Sequence, residues 1–512
     1  MIEIATTPTV RDLRRRWKPR KERLPGLRWS LFAATSLAIA AVAPGETTAL
    51  QLVIDAGKPL QTIDGFGVNV NPAQWRGGNL KPALDLLVDD LGCTLFRVDP
   101  VGVADWLDPA RRNADGTYTP EYLKSVYTSA MFRDCWETYR VLNAKHVEPF
   151  FSISGRIPAR LGRTDNPRRL ADFDGYAEMV VTLLKWARQE EHLQFSLLSP
   201  FNETDIGYPE GPKLEAEDVA PAVKAVLKKL DKAGLTDVRL ILLDDGFPHQ
   251  ERLDLVLNQP QWRDRTAAFG FHRYNSGREN QQNSGFRAAW RGQKSDFGQL
   301  AMRIHDSPFA GSRVWMTEYG DLDQTGLVES EVGWRSTERI LLAINEGFST
   351  GLVWDAFDNF HKHDNAWSTY GLLASDTRNS TYTPKPRYFA AKQLFRFVRP
   401  GFVRVAAEPV RKEAKDDPYA RWRDPFMHVL LCAFVSPDRK DFTIVGLSRI
   451  EPSITLTVSL QGLRPEALQK EVACYRTNPD ELCKQGARIR IQDRELTVPL
   501  NGPTVFTITT VK

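Results

Sequence analysis

The sequence predicts an α/β protein: a (β/α)8 TIM barrel with an attached C-terminal β-sandwich side domain. Three observations lead there. Between residues 63 and 385, eight short apolar runs alternate with amphipathic stretches, the repeat that a (β/α)8 barrel demands. Beyond residue 385 the chain turns to successive strand-like runs with turn residues between them, the pattern of a sandwich. No glycine-rich phosphate turn follows the first strand, which sets a doubly wound sheet aside. At 512 residues the chain is also too long for one hydrophobic core.

The eight runs, in order, are "IDGFGVNV" (63–70), "TLFRVDP" (94–100), "VEPFFSISG" (147–155), "FSLLSPFNE" (195–203), "RLILLDDG" (239–246), "AAFGFHRY" (267–274), "RVWMTEYG" (313–320) and "GLVWDAF" (351–357). Between them, "AEMVVTLLKWARQ" (177–189) carries apolar residues at helical spacing, and "AEDVAPAVKAVLKKLDKAG" (216–234) ends on a glycine stop signal. The later strands are "HVLLCAFVS", "DFTIVGLSR", "SITLTVSL", "RELTVPL" and "PTVFTITTV". The expected organisation is therefore a basic leader (1–49), a strand joining the side domain (50–62), the barrel (63–385) and the sandwich (386–512).

Charge and cysteine usage narrow the function classes. Residues 1–43 hold nine Lys/Arg and three acids. Removing them from the 68 basic and 64 acidic residues leaves 59 and 61, a net charge near −2. The basic pI thus belongs to the leader and gives no argument for a nucleic-acid partner. The apolar stretch "LFAATSLAIAAVA" (31–43) is short for a membrane span, which needs about 20 residues. It suits an export signal with A-x-A sites at Ala41–Ala43 or Thr47–Ala49, hence a secreted or periplasmic protein; "RRRW" loosely resembles a twin-arginine signal. An uncleaved leader would instead act as a membrane tether. Cys474 and Cys483 could close a small loop in an oxidising compartment, while Cys93, Cys135 and Cys432 read as core. No C-x-x-C pair or His-rich spacing marks a metal site, and no cofactor is expected.

In such a barrel the carboxyl ends of all eight strands converge on one face, where polar residues are the first catalytic suspects. Strand two ends in Arg97 and Asp99, and Arg156 follows strand three. Strand four ends in Asn202 and Glu203, strand five in Asp244 and Asp245, and strand six in His272 and Tyr274. Strand seven gives Glu318 and Tyr319, and strand eight gives Trp354 and Asp355. Glu203 and Glu318 therefore face each other across the barrel mouth, enough to act on a glycosidic bond from two faces. Several residues keep a structural reading beside the functional one. Arg97 could pair with Asp99, and His272 could be an interior histidine. Asp244 and Asp245 read as a helix cap before "GFPHQERLDLVL". Trp75, in the loop after strand one, either lines a subsite or belongs to the core.

Taken together, "SPFNET", "WMTEYG", "FGFHRY" and the leading "QTIDGFG" resemble the retaining glycoside hydrolases built on this barrel, closest to the family-30 type with its attached sandwich. The resemblance covers most of residues 50–512. It implies Glu203 as acid/base, Glu318 as nucleophile and an oligo- or polysaccharide as substrate. It also implies Asn202 on the sugar 2-hydroxyl, Tyr274 or His272 orienting Glu318, Arg97 as partner of Glu318, and Trp354 stacked under the sugar. The Arg-rich loop "SISGRIPARLGRTDNPRRL" (152–170) departs from the family, and its arginines, Arg156 included, would either meet an acidic sugar or face solvent. A transglycosylase on the same site and a non-catalytic carbohydrate-binding barrel are the alternatives.

Overall fold

The computed structural model describes residues 48–512 apart from 101, 103, 275–293, 362–364, 377 and 412–423. Residues 1–47 of the expected leader lie outside the described residues, and Thr48 and Ala49 already belong to the first strand. β1 (Thr48–Thr62) precedes a closed barrel of eight strands: β2 (Gly67–Val70), β3 (Leu95–Val98), β4 (Phe150–Ser152), β5 (Leu197–Ser199), β6 (Arg239–Asp245), β7 (Thr266–Arg273), β8 (Arg313–Tyr319) and β9 (Thr350–Val353). All neighbours are parallel, and β2 closes on β9. Each strand falls on one of the eight apolar runs, β7 and β9 starting one residue ahead of theirs. Strands covered on both faces must be apolar along their whole length, and β2, β4 and β7 are buried at every residue. Between β2 and β3 a side chain on Gly67 would collide with the Leu95 carbonyl at 1.7 Å, so only glycine serves there.

The barrel is a packed core and not a pore. Phe150, Ile241, Ala268, Trp315 and Leu352, from β4, β6, β7, β8 and β9, gather into one apolar cluster. Outer helices such as Phe173–Gln189 and Ala216–Lys232 pack their apolar stripes on the strands. The second is opened by a reciprocal capping box of Glu215 and Asp218. Beyond β9 the long loop folds into two hairpins, β10 (Asn359–His361) with β11 (Ala366–Ser368) and β12 (Leu373–Asp376) with β13 (Thr381–Pro384).

The side domain is one continuous sheet. It contains β1, β14 (Val403–Pro409), β15 (Val429–Val435), β16 (Phe442–Ser448), β17 (Ser453–Gln461), β18 (Glu471–Asn478), β19 (Glu481–Gln485), β20 (Ile489–Arg490), β21 (Glu495–Asn501) and β22 (Thr504–Thr509). β1 runs between β14, antiparallel, and β17, parallel. Alternating residues such as Leu50, Leu52, Ile54, Leu456, Val458 and Val498 gather into one apolar core. The opposite face, with Leu430, Cys432, Phe434, Val445 and Val505, joins the core of the barrel helices.

Cys474 and Cys483 are free thiols, against the expected small-loop disulfide. β18 and β19 pair Tyr475 with Gln485, and the Cys483 N–H bonds Thr477 Oγ1 at 3.0 Å. The two cysteines therefore stand opposite different residues of the hairpin. Burial pushes their thiols up to about 12 and about 11. Among the described residues no helix is long and apolar enough to cross a membrane.

Candidate active site

The carboxyl ends of the strands open into a cavity of about 290 Å³ walled by Arg97, Asn202, Glu203, Tyr274, Glu318 and Trp354, among others. Glu203 follows β5 by four residues, in a turn closed by its own carbonyl accepting from the Ile206 and Gly207 amides at 2.9 and 2.8 Å. Its φ of +41° is a left-handed conformation costing roughly 1–2 kcal/mol for a side-chain-bearing residue. Strain of this kind gathers at functional sites. Glu318 lies within β8 and is 6% exposed, Glu203 8%, so both carboxyl groups stand largely out of water.

Arg97 ties the site together. From β3, its Nη1 donates to Glu318 Oε1 at 2.5 Å and to Asn69 Oδ1 at 2.8 Å. Nη2 donates to Asn202 Oδ1 at 2.5 Å and to Asp244 Oδ2 at 2.9 Å. The expected alternative pairing of Arg97 with Asp99 is not the one formed; Asp99 instead accepts from the Gly102 amide at 2.7 Å and from the Ser154 hydroxyl. The Tyr274 hydroxyl donates to Glu318 Oε2. Glu318 thus accepts from a guanidinium on one oxygen and a phenol on the other, the bonding pattern of a carboxylate.

Glu203 has different surroundings. Its Oε1 lies 2.6 Å from His272 Nδ1. Burial raises its pKa, and the charges of Glu318 and Asp205 push the same way against the pull of His272. The two carboxyl groups thus stand in unlike environments. One oxygen of Glu203, one nitrogen of His272 and one oxygen of Glu318 lie within 4.8 Å of one another. Glu203 and His272 are hydrogen-bonded to each other, and Glu318 is paired with the Arg97 guanidinium.

Trp354, just past β9, walls the cavity, with its ring 5.2 Å from that of His361. An aromatic face is worth about 0.5–1.5 kcal/mol to a stacked partner. Trp354→Ala is therefore expected to raise KM for the best substrate about three- to tenfold with a smaller change in kcat, read from steady-state kinetics.

Two expected substrate contacts lie elsewhere. Trp75 packs into the apolar core of the barrel and its helices and is not among the cavity walls. Arg156 is a surface residue whose Nε donates to Asp105 at 2.6 Å. Its neighbours in the loop are similarly spent: Arg163 on Asp165, Arg169 on Asp218, and Arg168 over the Tyr208 ring.

Asp244 and Asp245 are corrected as well. The helix Gln250–Leu257 is preceded by His249 with no side-chain cap. Asp245 holds Arg252 with two bonds, 2.9 and 3.0 Å, and burial raises its pKa to about 6. Asp244 faces the site. The pairing of β6 with β7 slips between Leu243 and Asp245, and Leu243 and Asp244 have φ of +70° and +55°. Such a bulge re-aims a side chain. Gly270 makes the room, since a side chain there would lie 2.7 Å from Asp244 Oδ1. One signal was available in the sequence: neighbouring residues of a strand face opposite sides, so one of two adjacent aspartates must look inward. Asn69, whose amide donates to the Thr317 and Val353 carbonyls, was the one polar residue in the strand-forming part of its run, 67–70. Asp355, His361 and Tyr370 also wall the cavity; burial pushes Asp355 up to about 8.

No protein-family model matches the sequence, and no curated protein matches it. Solved structures do. The family-30 endoxylanase from Clostridium papyrosolvens superposes with a TM-score of 0.64 at 17% identity, covering 90% of this chain and 99% of that one. A family-30 subfamily-8 xylanase from Clostridium acetobutylicum gives 0.64 at 16%, with 90% and 99% covered. An endo-β-1,6-glucanase gives 0.62 at 14%, with 91% and 95% covered. The chain has the fold of the family-30 glycoside hydrolases, barrel and side domain together.

Proposed function

We propose that the protein is an exported glycoside hydrolase that cleaves β-glycosidic bonds of an oligo- or polysaccharide with retention of configuration. The observation that carries this reading is the approach of Glu203 and Glu318 carboxyl oxygens to within 4.8 Å. Retaining enzymes hold their two carboxyl groups about 5–5.5 Å apart, whereas inverting ones leave about 6.5–9.5 Å for a water. The neighbours of like fold, an endoxylanase and an endo-β-1,6-glucanase by name, support the carbohydrate substrate. Export rests on the leader alone.

In this reading Glu318 attacks the anomeric carbon while Glu203 gives its proton to the departing oxygen. The glycosyl group then sits on Glu318 as an ester. Glu203 next takes a proton from water, whose oxygen attacks the same carbon and releases Glu318. Arg97 neutralises Glu318 before and after the ester exists, and the Asn202 amide oxygen accepts from the same guanidinium. The cavity walls include Asp99, Glu203, Glu210, Glu318 and Asp355 against Arg97, which is already bound to two carboxylates. Such a lining disfavours a uronate and suits a neutral sugar.

Glu203→Gln tests the assignment. On glycans with poor leaving groups its kcat/KM should fall by about 10²–10⁴-fold. The loss should shrink sharply on aryl glycosides whose phenolate departs without a proton. Equal losses on both substrates would remove Glu203 from the acid role. Early product examined by proton NMR should carry the anomeric configuration of the substrate.

A further inference from the structure

His272 is fully buried, and both of its ring nitrogens face carboxylates. Nδ1 lies 2.6 Å from Glu203 Oε1 and 3.3 Å from Glu318 Oε2, and Nε2 lies 3.2 Å from Asp244 Oδ1. A neutral imidazole carries one N–H, so it can donate to only one side. The arrangement closes in two ways. Either the ring is an imidazolium donating to both carboxylates, or Nε2–H donates to Asp244 while a protonated Glu203 donates to Nδ1. Both place one extra proton on the Glu203–His272 pair, and both require Asp244 to be an anion.

The surroundings fix that anion. Asp244 is also bonded by Arg97 Nη2 from β3 and by the Ser199 hydroxyl from β5 at 2.6 Å. Although burial opposes its charge, Arg97, His272 and Ser199 hold its carboxyl well below the usual range. Burial also opposes charging of His272, but Glu318, Glu203 and Asp244 outweigh it and raise its pKa well above the ordinary value. The charged and titratable groups around the pair are Arg97 from β3, Asp205 from the loop after β5, Asp244 from β6, Tyr274 after β7 and Glu318 from β8.

We infer that Asp244 is a positioning residue that locks the acid proton onto the Glu203–His272 pair, with His272 acting as the proton store for Glu203. This rests on the assignment of Glu203 as acid/base. In the first half-reaction the pair gives one proton to the leaving oxygen as the glycosidic C–O bond breaks and the bond to Glu318 forms. In the second it regains one from the attacking water, so the proton count returns to its start. Within the pair the proton shifts along one hydrogen bond, 2.6 Å from Nδ1 to Oε1, so delivery by Glu203 and supply by His272 need no rearrangement.

The test is a pH titration of the full-length protein labelled with nitrogen-15 at histidine, in wild type and Asp244→Asn, run beside pH profiles of kcat/KM. His272 Nε2 should carry a proton at neutral pH, and the pair should lose its extra proton in one step that matches the basic limb of activity. Removing the Asp244 charge should lower both by about one to two pH units. The sign follows from the charge: activity needs the protonated pair, and an anion at 244 delays its loss as pH rises. An unprotonated Nε2, or loss of the extra proton well below the basic limb, overturns the proposal from wild type alone. A basic limb unmoved in a folded Asp244→Asn variant does the same. Because the spectra read the pair without turnover, they stand even where the glycosidase reading fails for want of a substrate.

Discussion

Glu318→Gln should abolish turnover on every substrate the protein accepts, with kcat down by on the order of 10⁴- to 10⁶-fold, as when a nucleophile is removed from its catalytic unit. The amide keeps the volume and can still bond Tyr274, but it cannot form the glycosyl ester. The decisive reading comes from added azide. In Glu318→Ala, which opens the space, the small anion should restore turnover and yield the glycosyl azide of inverted configuration, because it enters the face that the carboxylate vacated. In Glu203→Gln the azide product should keep the configuration of the substrate, since the ester still forms. Exchange of these two outcomes would swap the roles of the two residues. A Glu318→Gln variant with near wild-type rates would displace the site altogether.

Arg97→Met should cost more stability than any other single change in the site. It removes a buried cation, 3% exposed, that holds Glu318, Asp244, Asn202 and Asn69 at once. Breaking one side of a buried ion pair costs about 3–5 kcal/mol, because the partner charge is left uncompensated. Here two carboxylates lose the same partner. The expected result is a large fall in the denaturant midpoint together with loss of activity. Arg97→Lys should recover part of the stability but little of the activity, since one ammonium cannot reproduce four donor directions. Unfolding midpoints and kcat/KM on the same preparations separate the two effects.

The barrel was legible because strands buried on both faces must be apolar throughout, and the eight runs stood out for that reason. The strand-end rule then brought Glu203, Glu318, Arg97, Asn202, His272, Tyr274 and Trp354 to one cavity. It failed where residue order alone does not tell which way a side chain points. Asp244 was read as a cap because the bulge at Leu243–Asp244 depends on a slip against β7 and on the room left by Gly270. Trp75 was set in a loop near the mouth, yet the short helix Pro72–Gln74 before it turns the indole into the core. Arg156 followed the right strand, but Asp105 from another loop captured it. The hairpins after β9 were unforeseen because strands of three or four residues carry too little alternation to register as a pattern.

The position of β1 bears on how the chain can be cut. Its residues 48–55 are laid in parallel register on β17, residues 453–461, and its other edge is covered by β14. This strand thus waits for partners made several hundred residues later, a separation that slows closure of the side sheet. Ending the chain after β13 would strand β1 with two unpaired edges, an invitation to intermolecular pairing. It would also bare the helix faces that Leu430, Phe434, Val445 and Val505 cover. The barrel is therefore not an excisable module, and expression trials should carry the sequence through β22 or expect aggregates.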